Sequence, residues 1–137
     1  MKHEGITLVA DAIHNQAEPR HYMTIKESPK FWLAKIEEQI LAKSHTAIEL
    51  KEVGLDIYPP VIYFPLKDVV TTHLKKNKKS TFCPLKGSTY YLDLFSNQTK
   101  IKDVAWVYET TIAEASEIKN MIAFDTSKVS LISHSSS

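Results

Sequence analysis

The chain has 137 residues, of which 43% are hydrophobic and 24% charged, and its formal net charge is +1. This length predicts one domain that can bury an ordinary core. The composition excludes a disordered chain, which carries fewer apolar residues and a larger net charge. The near-neutral charge excludes a general electrostatic attraction to nucleic acids or to membranes.

Residues 1–29 combine few apolar positions with two prolines and predict an N-terminal arm, with a short helix near residues 6–13. The apolar run in this arm, about five residues long, is shorter than a signal-peptide core or a membrane span. A single β domain is predicted for residues 30–132. The serine-rich residues 133–137 have nothing to bury and are expected to fray.

Short segments rich in β-branched and aromatic residues predict strands in residues 30–132. The predicted strands are residues 31–37, 39–43, 46–50, 61–64, 89–95, 104–108, 121–124 and 128–132. The first two predict a hairpin around Glu37-Glu38, and the last two predict a hairpin around Asp125-Thr126-Ser127.

Two short helices are predicted between these strands. Asp68 is a candidate N-cap for a helix over residues 68–74. Thr111 and Glu114 have the spacing of a capping box and predict a helix that ends at Asn120. The lysine-rich residues 75–80 predict an exposed loop.

The residues Cys83-Pro84-Leu85-Lys86-Gly87 predict a turn, because proline and glycine both favour turns. If the turn is tight, the Lys86 ammonium lies near the Cys83 sulfur and favours the nucleophilic thiolate. The alternative is that Cys83 is a small buried apolar residue. Lys86 is a candidate contact for an anionic or carbonyl group, and its alternative is an ion pair with Glu49 or Glu52.

Four aromatic residues on separate predicted strands carry hydrogen-bond donors, and they are Tyr63, Tyr91, Trp106 and Tyr108. If they share one face, they form an apolar wall with polar tips, as in small-molecule pockets. The alternative is that they pack in the core. Glu49 or Glu52 is a candidate general base beside them, and the alternative for either is a solvated strand edge.

Cys83 is the only cysteine, so the chain can form neither an intramolecular disulfide nor a multi-cysteine zinc site. We therefore expect a reducing compartment, the cytoplasm. The six histidines lack metal-ligand spacing, and we expect no metal and no cofactor. The lysine run has no interleaved aromatic residues, so nucleic acid is a less favoured partner than a small molecule.

Several short motifs occur in a characteristic order, and they are Tyr63-Phe64-Pro65, Asp68-Val69, Thr81, Cys83-Pro84-x-Lys86-Gly87, Tyr91, Trp106-x-Tyr108 and Ile122-Ala123-Phe124. Over residues 30–131 this order resembles the family catalogued as domain of unknown function 427, which also carries a nucleotidyltransferase-like label. The resemblance implies a compact, mostly antiparallel β fold similar to the β-tent (Mss4-like) domains, with one or two short helices. Many β-tent domains hold zinc with four cysteines, so the single cysteine implies a version without zinc.

Three functions are compatible with these residues. The first is a small-molecule-binding domain whose pocket includes Lys86, Cys83, Glu49 and the four aromatic residues. The second is an enzyme, with Cys83 or Lys86 in the reaction or with a nucleotide as substrate. The third is a protein-interaction module in which residues 1–29 hold a second copy of the chain.

Overall fold

The computed structural model describes residues 12–15, 17–54, 56–96 and 98–135. Within these residues the chain forms eleven β-strands and two short 3-10 helices, Leu66–Asp68 and Ala113–Ile118. The strands are β1 (Ile13–His14), β2 (Tyr22–Glu27), β3 (Lys30–Ile36), β4 (Gln39–Ser44), β5 (Ile48–Val53), β6 (Val61–Phe64), β7 (Leu74–Cys83), β8 (Gly87–Ser96), β9 (Thr99–Thr111), β10 (Ile122–Phe124) and β11 (Ser130–Ser135).

The strands form two antiparallel sheets. The larger sheet has eight strands in the order β1-β2-β5-β6-β10-β9-β8-β7, and the smaller sheet has the order β11-β3-β4. Every pairing of neighbouring strands within the two sheets is antiparallel. The predicted mostly β, antiparallel fold class is therefore confirmed.

The strands of the larger sheet alternate their side chains between its two faces. On β6, Ile62 and Phe64 point to one face and Tyr63 points to the other. The first face packs against the smaller sheet, which contributes Ala34 to the shared core. Phe64 and Phe124 meet edge to face in this first core, with ring centroids 5.6 Å apart.

The opposite face of the larger sheet carries a second core. Leu85 reaches it from the turn between β7 and β8, and Ile118 reaches it from the second 3-10 helix. Its buried members are Met23, Leu50, Tyr63, Leu85, Tyr108, Ala115, Ile118, Met121 and Ala123. A turn and a 3-10 helix cover this face only in part, which leaves space for the hollow described below.

Several predicted strands are confirmed. Strand β6 has the predicted bounds, and the predicted strands at residues 89–95 and 104–108 lie inside the longer β8 and β9. β3 and β4 form the predicted hairpin, and Glu37 in its turn has a φ of 52°. The strand predicted at residues 46–50 is displaced, since β5 covers Ile48–Val53.

The segment predicted as an N-terminal arm, residues 1–29, contains the strand β2. This strand pairs with β5 from Tyr22↔Val53 to Glu27↔Ile48, and Met23 is fully buried in the second core. Alternation of Met23 and Ile25 with polar residues was a weak strand signal. The helix predicted near residues 6–13 overlaps β1 at Ile13, and residues 1–11 lie outside the described residues.

The C-terminal predictions need two corrections. β10 and β11 are not a hairpin, because β10 lies between β6 and β9 in the larger sheet and β11 pairs with β3 in the smaller one. Residues 133–135 of the predicted fraying tail belong to β11, where Ser133 pairs with Trp32. Residues 136 and 137 lie outside the described residues.

Both predicted helices are wrong in extent. The first is reduced to Leu66–Asp68, because the Asp68 carboxylate accepts a hydrogen bond from Ser44 Oγ at 2.6 Å and does not cap a helix. The second is the 3-10 helix Ala113–Ile118, which has no side-chain cap. Thr111 pairs with Gly87 in the sheet, so it does not start the predicted capping box.

The lysine run is not a loop but part of β7, at the edge of the larger sheet. Cross-strand neighbours supply the aromatic rings that the run itself lacks. Lys76 Nζ lies 4.6 Å from the ring centre of Tyr90, and Lys79 Nζ lies 4.3 Å from that of Tyr91. Charged side chains on an exposed edge also oppose pairing with another chain.

A buried carboxylate stabilises the irregular pairing between β7, β8 and β9. Asp93 Oδ1 accepts hydrogen bonds from Asn77 Nδ2 at 2.7 Å and from the Asp103 backbone N–H at 2.9 Å. Burial raises the pKa of the Asp93 carboxyl, but these two hydrogen bonds and the charges of Lys100 and Lys102 together hold the pKa below its ordinary value. Asn77 Nδ2 also donates to Asp103 Oδ1 at 2.6 Å.

We expect Asn77→Ala to lower the free energy of unfolding by about 1–2 kcal/mol, because Asp93 and Asp103 both lose a charge-assisted hydrogen bond. Urea unfolding followed by circular dichroism measures this change. The neighbouring exposed Lys78 is the control, and Lys78→Ala should change the free energy by less than about 0.5 kcal/mol. Equal effects of the two variants would contradict the role given to Asn77.

Candidate functional site

The four predicted aromatic residues lie on the same face of the larger sheet. Ala123 on β10 pairs with Tyr63 on one side and with Trp106 on the other, and Trp106 pairs with Tyr91. Tyr108 lies two residues further along β9, so its side chain points to the same face as that of Trp106. The small Ala123 side chain separates the two large ones, and Trp106 Nε1 donates to the Tyr63 hydroxyl at 3.3 Å.

The Cys-Pro-x-Lys-Gly segment forms the predicted turn and folds over this face. The Lys86 backbone N–H donates to the Cys83 carbonyl at 3.0 Å, which closes the turn. Leu85 is buried in the second core, and the Lys86 carbonyl accepts a hydrogen bond from the Ile112 N–H at 2.9 Å. Anchoring on both sides positions the Lys86 side chain beside the aromatic residues.

The buried Lys86 belongs to a chain of three charged or titratable groups, of which the other two, Glu52 and His21, are half-buried. Lys86 Nζ donates to Glu52 Oε1 at 2.5 Å, and His21 Nε2 lies 2.9 Å from Glu52 Oε2. The side chains of Lys86 and Glu52 are only 11% and 19% exposed. Burial raises the pKa of the Glu52 carboxyl, but the hydrogen bonds and the electrostatic attraction from Lys86 and His21 together hold the pKa below its ordinary value.

Lys86 and the four aromatic residues line a hollow of about 320 Å³ on the second face of the larger sheet. The volume is within the range of small-molecule pockets. The lining residues are Val61, Tyr63, Lys79, Lys86, Tyr91, Asp103, Trp106, Tyr108, Asp125 and Lys128. The structure therefore brings together five of the predicted site residues, which are Tyr63, Lys86, Tyr91, Trp106 and Tyr108.

The charges around the hollow are balanced in pairs. In addition to the Lys86–Glu52 pair, Lys79 Nζ lies 3.7 Å from Asp103 Oδ2, and Lys128 Nζ lies 3.6 Å from Asp125 Oδ2. Lys128 Nζ also donates to the Lys102 carbonyl at 2.8 Å. The three ammonium groups are thus accompanied by three carboxylates.

The phenols in the hollow are hydrogen-bond donors at neutral pH. Burial is the main cause that raises the pKa of Tyr63 and of Tyr108 above the ordinary value, so both remain protonated. The Tyr108 residue is 7% exposed, and its hydroxyl has no hydrogen-bond partner among the described residues. The Tyr108 hydroxyl can therefore donate a hydrogen bond to an acceptor bound in the hollow.

The structure does not bring Glu49 into the hollow. Glu49 pairs with Ile62, whose side chain lies in the first core, so Glu49 points to the opposite face from Tyr63. Glu52 is three residues further along β5 and therefore points to the second face, with Leu50. Side chains alternate between the two faces along β5, so the residue that shares the face of the apolar Leu50 is Glu52 and not Glu49. This alternation could have identified Glu52 as the site residue from the sequence.

Cys83 also lies outside the lining of the hollow. It is half-buried and packs against the second core, which agrees with its interpretation as a small apolar residue. The Lys86 ammonium donates a hydrogen bond to Glu52. Among the described residues, no hydrogen bond joins it to the Cys83 sulfur. The predicted activation of the thiol by Lys86 is therefore not supported.

Sequence reasoning missed His21 and four charged lining residues, Lys79, Asp103, Asp125 and Lys128. His21 lies in the segment predicted as an arm, and its approach to Glu52 depends on the pairing of β2 with β5. No local spacing indicates that approach.

Two further hollows adjoin the site. One of about 420 Å³ shares Val61, Trp106 and Asp125 with the first hollow and also includes Glu52. Another of about 510 Å³ includes His21. The chain from Lys86 through Glu52 to His21 therefore connects three neighbouring depressions.

Together, the fold and the site define an antiparallel β domain of two sheets with a lysine-containing aromatic hollow on the outer face of the larger sheet. The family model described as "Domain of unknown function (DUF427)" matches residues 24–135, and the chain belongs to this family. The match begins inside β2, before residue 30. The similarity to the β-tent domains stays a prediction.

The other comparisons add few constraints. A comparison with curated proteins found none that matches this chain. Among the described residues, no helix is long and apolar enough to span a membrane. The same residues contain no group of three or more His, Cys, Asp or Glu side chains arranged to hold a metal ion.

Proposed function

We propose that the aromatic hollow binds a small molecule that has a planar apolar body and a carbonyl oxygen. The observation that carries this proposal is the buried Lys86 ammonium, held by Glu52 beside Tyr63, Trp106 and Tyr108. Pockets of this type combine apolar walls with a few fixed polar groups, which orient the bound molecule. The protein is in this view a ligand-binding β domain.

The charge balance favours a neutral ligand. Since each lysine in the lining has a carboxylate beside it, a fully charged ligand would leave one charge without compensation in a half-buried site. Donors remain available, because the Lys86 ammonium has two protons beyond the one given to Glu52 and the Tyr108 hydroxyl has no partner among the described residues. Both suit a carbonyl acceptor.

The rings supply the apolar walls. Tyr91 and Trp106 are direct cross-strand neighbours and are half-buried, so each keeps part of its ring accessible. A planar ligand gains apolar burial and ring stacking against such side chains. A free thiol at Cys83 suits a reducing compartment, so the cytoplasm is the location we propose.

We expect the purified protein to retain a small carbonyl compound from a metabolite extract, and Lys86→Met to retain at least about tenfold less. The physical reason is the loss of a charged hydrogen bond, which contributes about 1.5–3 kcal/mol. Mass spectrometry of the species released after washing measures the difference. Tyr108→Phe should reduce retention by about fivefold, because it removes one donor.

The matched control is Lys67→Met, which removes an exposed lysine in the first 3-10 helix. It should retain the same species as the native chain. Equal retention by Lys86→Met and the native chain would refute the proposed role of Lys86. Thermal unfolding of each variant verifies that the compared proteins are folded.

A further inference from the structure

We propose that Lys86 is a nucleophile that forms an imine with an aldehyde or ketone bound in the hollow, with Glu52 as the group that accepts and returns its protons. This inference rests on the proposed carbonyl ligand but adds a covalent step to reversible binding. It concerns the three-residue chain Lys86, Glu52 and His21.

The first support is the environment of the amine. Lys86 is 9% exposed as a residue and ends beside aromatic rings, with its Nζ 6.0 Å from the ring centre of Tyr108. Lysine amines that line a hollow with apolar walls can serve as imine-forming nucleophiles toward a carbonyl compound bound there. An exposed surface lysine does not have this environment.

The second support is a base in direct contact. Glu52 Oε1 lies 2.5 Å from Lys86 Nζ, which is within reach for proton transfer. Glu52 Oε2 lies 2.9 Å from His21 Nε2, so the carboxylate is held from both sides. His21 and Glu52 line hollows next to the site, and through them the chain reaches solvent.

The reaction conserves atoms and charge. Glu52 accepts one proton from the Lys86 ammonium, and the neutral amine attacks the carbonyl carbon, so that a C–N bond forms and the C–O π bond breaks. A second nitrogen proton passes to the carbonyl oxygen, which gives the carbinolamine. Glu52 then returns its proton to the hydroxyl group, the C–O bond breaks, and water leaves a protonated imine on Lys86.

Tyr108 has a defined place in this scheme. Tyr108 lines the hollow and is 7% exposed as a residue, and its hydroxyl has no hydrogen-bond partner among the described residues. It is therefore free to donate to the carbonyl oxygen as negative charge develops there during attack. Tyr108→Phe should slow imine formation without removing the nucleophile.

Reductive trapping tests the proposal. The native protein is incubated with limiting benzaldehyde and sodium cyanoborohydride, and benzylated lysines are located by peptide mass spectrometry. We expect Lys86 to be modified at least tenfold faster than the exposed Lys67. Burial alone predicts the opposite order, so slower modification of Lys86 than of Lys67 overturns the proposal.

Two variants assign the roles. Lys86→Arg keeps a positive charge beside Glu52 and should abolish the modification at this position. Glu52→Gln should slow modification of Lys86 by at least fivefold and leave the rate at Lys67 unchanged. An unchanged or faster modification of Lys86 in Glu52→Gln overturns the role of Glu52. If this variant does not fold, the ratio of the modification rates of Lys86 and Lys67 in the native protein still decides the main proposal.

The outcome can be separated from that of the proposed function. If metabolite retention depends on Lys86 but benzaldehyde does not label it preferentially, reversible binding stands and imine formation is refuted. If neither retention nor labelling depends on Lys86, both proposals are refuted.

Discussion

Gly87→Ala is expected to lower the free energy of unfolding by about 3 kcal/mol or more. Gly87 ends the turn that carries Lys86, and its φ of 136° lies in a region that favours glycine. A Cβ atom at this position would lie 1.9 Å from the Thr110 carbonyl oxygen and 2.7 Å from Thr111 Cα. Both contacts are with backbone of the neighbouring strand β9, so no side-chain rotation relieves them.

Gly54→Ala is the matched control for this prediction. A Cβ atom at Gly54 would meet His21 Cδ2 at 3.3 Å and Tyr58 Cε2 at 3.5 Å, which are side-chain atoms that can move. We expect a change of less than about 1 kcal/mol. Urea unfolding of both variants measures the difference, and a loss as small as that expected for Gly54→Ala would show that the turn tolerates a side chain at Gly87.

Breaking the Lys86–Glu52 pair should have the second large effect. Glu52→Gln and Lys86→Met are each expected to cost about 2–3 kcal/mol, since each leaves a largely buried partner without its opposite charge. The double variant should cost clearly less than the sum, with a coupling energy of about 1–3 kcal/mol. A double-mutant cycle by urea unfolding at pH 7 measures that coupling.

Glu49 offers a matched control on the same strand. Its carboxylate lies 3.5 Å from Lys51 Nζ, but the two side chains are 31% and 62% exposed. Exposed ion pairs contribute little, so Glu49→Gln should change the free energy by less than about 0.5 kcal/mol. Similar costs for Glu49→Gln and Glu52→Gln would contradict the structural role of the buried pair.

The stabilising effect of Glu52 should depend on pH. Because folding lowers the pKa of its carboxyl, its contribution is present above the unfolded value of about 4.3 and is lost as the pH falls through the lower folded value. The difference in stability between the native chain and Glu52→Gln should therefore be constant near neutral pH and shrink below about pH 4.3. A stability difference between the native chain and Glu52→Gln that grows as the pH falls would contradict this prediction.

The position of the Lys86–Glu52 pair also distinguishes a purely structural role of Lys86 from a role in binding. A lysine that only stabilises the turn needs no access to a hollow, whereas Lys86 lines one together with Tyr108. The stability measurements therefore test the stabilising charge of Lys86, and the trapping experiment tests the reactivity of its amine. Lys86→Arg separates them, because it keeps the charge and removes the nucleophilic amine.

Local sequence determined much of the fold and part of the site. The proline and glycine of residues 83–87 specify a turn wherever the chain places them, and the alternating residues of β6 specify a strand whose Tyr63 points away from Ile62 and Phe64. The period of two also indicates that Glu52 shares the face of Leu50 and that Glu49 points to the other face.

Only the tertiary structure decided which distant groups meet. His21 reaches Glu52 because β2 joins the edge of β5, and β10 and β11 separate into different sheets because each finds a different partner strand. The lysine run becomes part of a strand because β8 pairs with it at Lys75, Lys76 and Ser80, which overrides a local composition typical of loops. Hydrogen-bond pairing between remote segments has no local signature, and for this reason the Lys86–Glu52–His21 chain emerges only in the folded molecule.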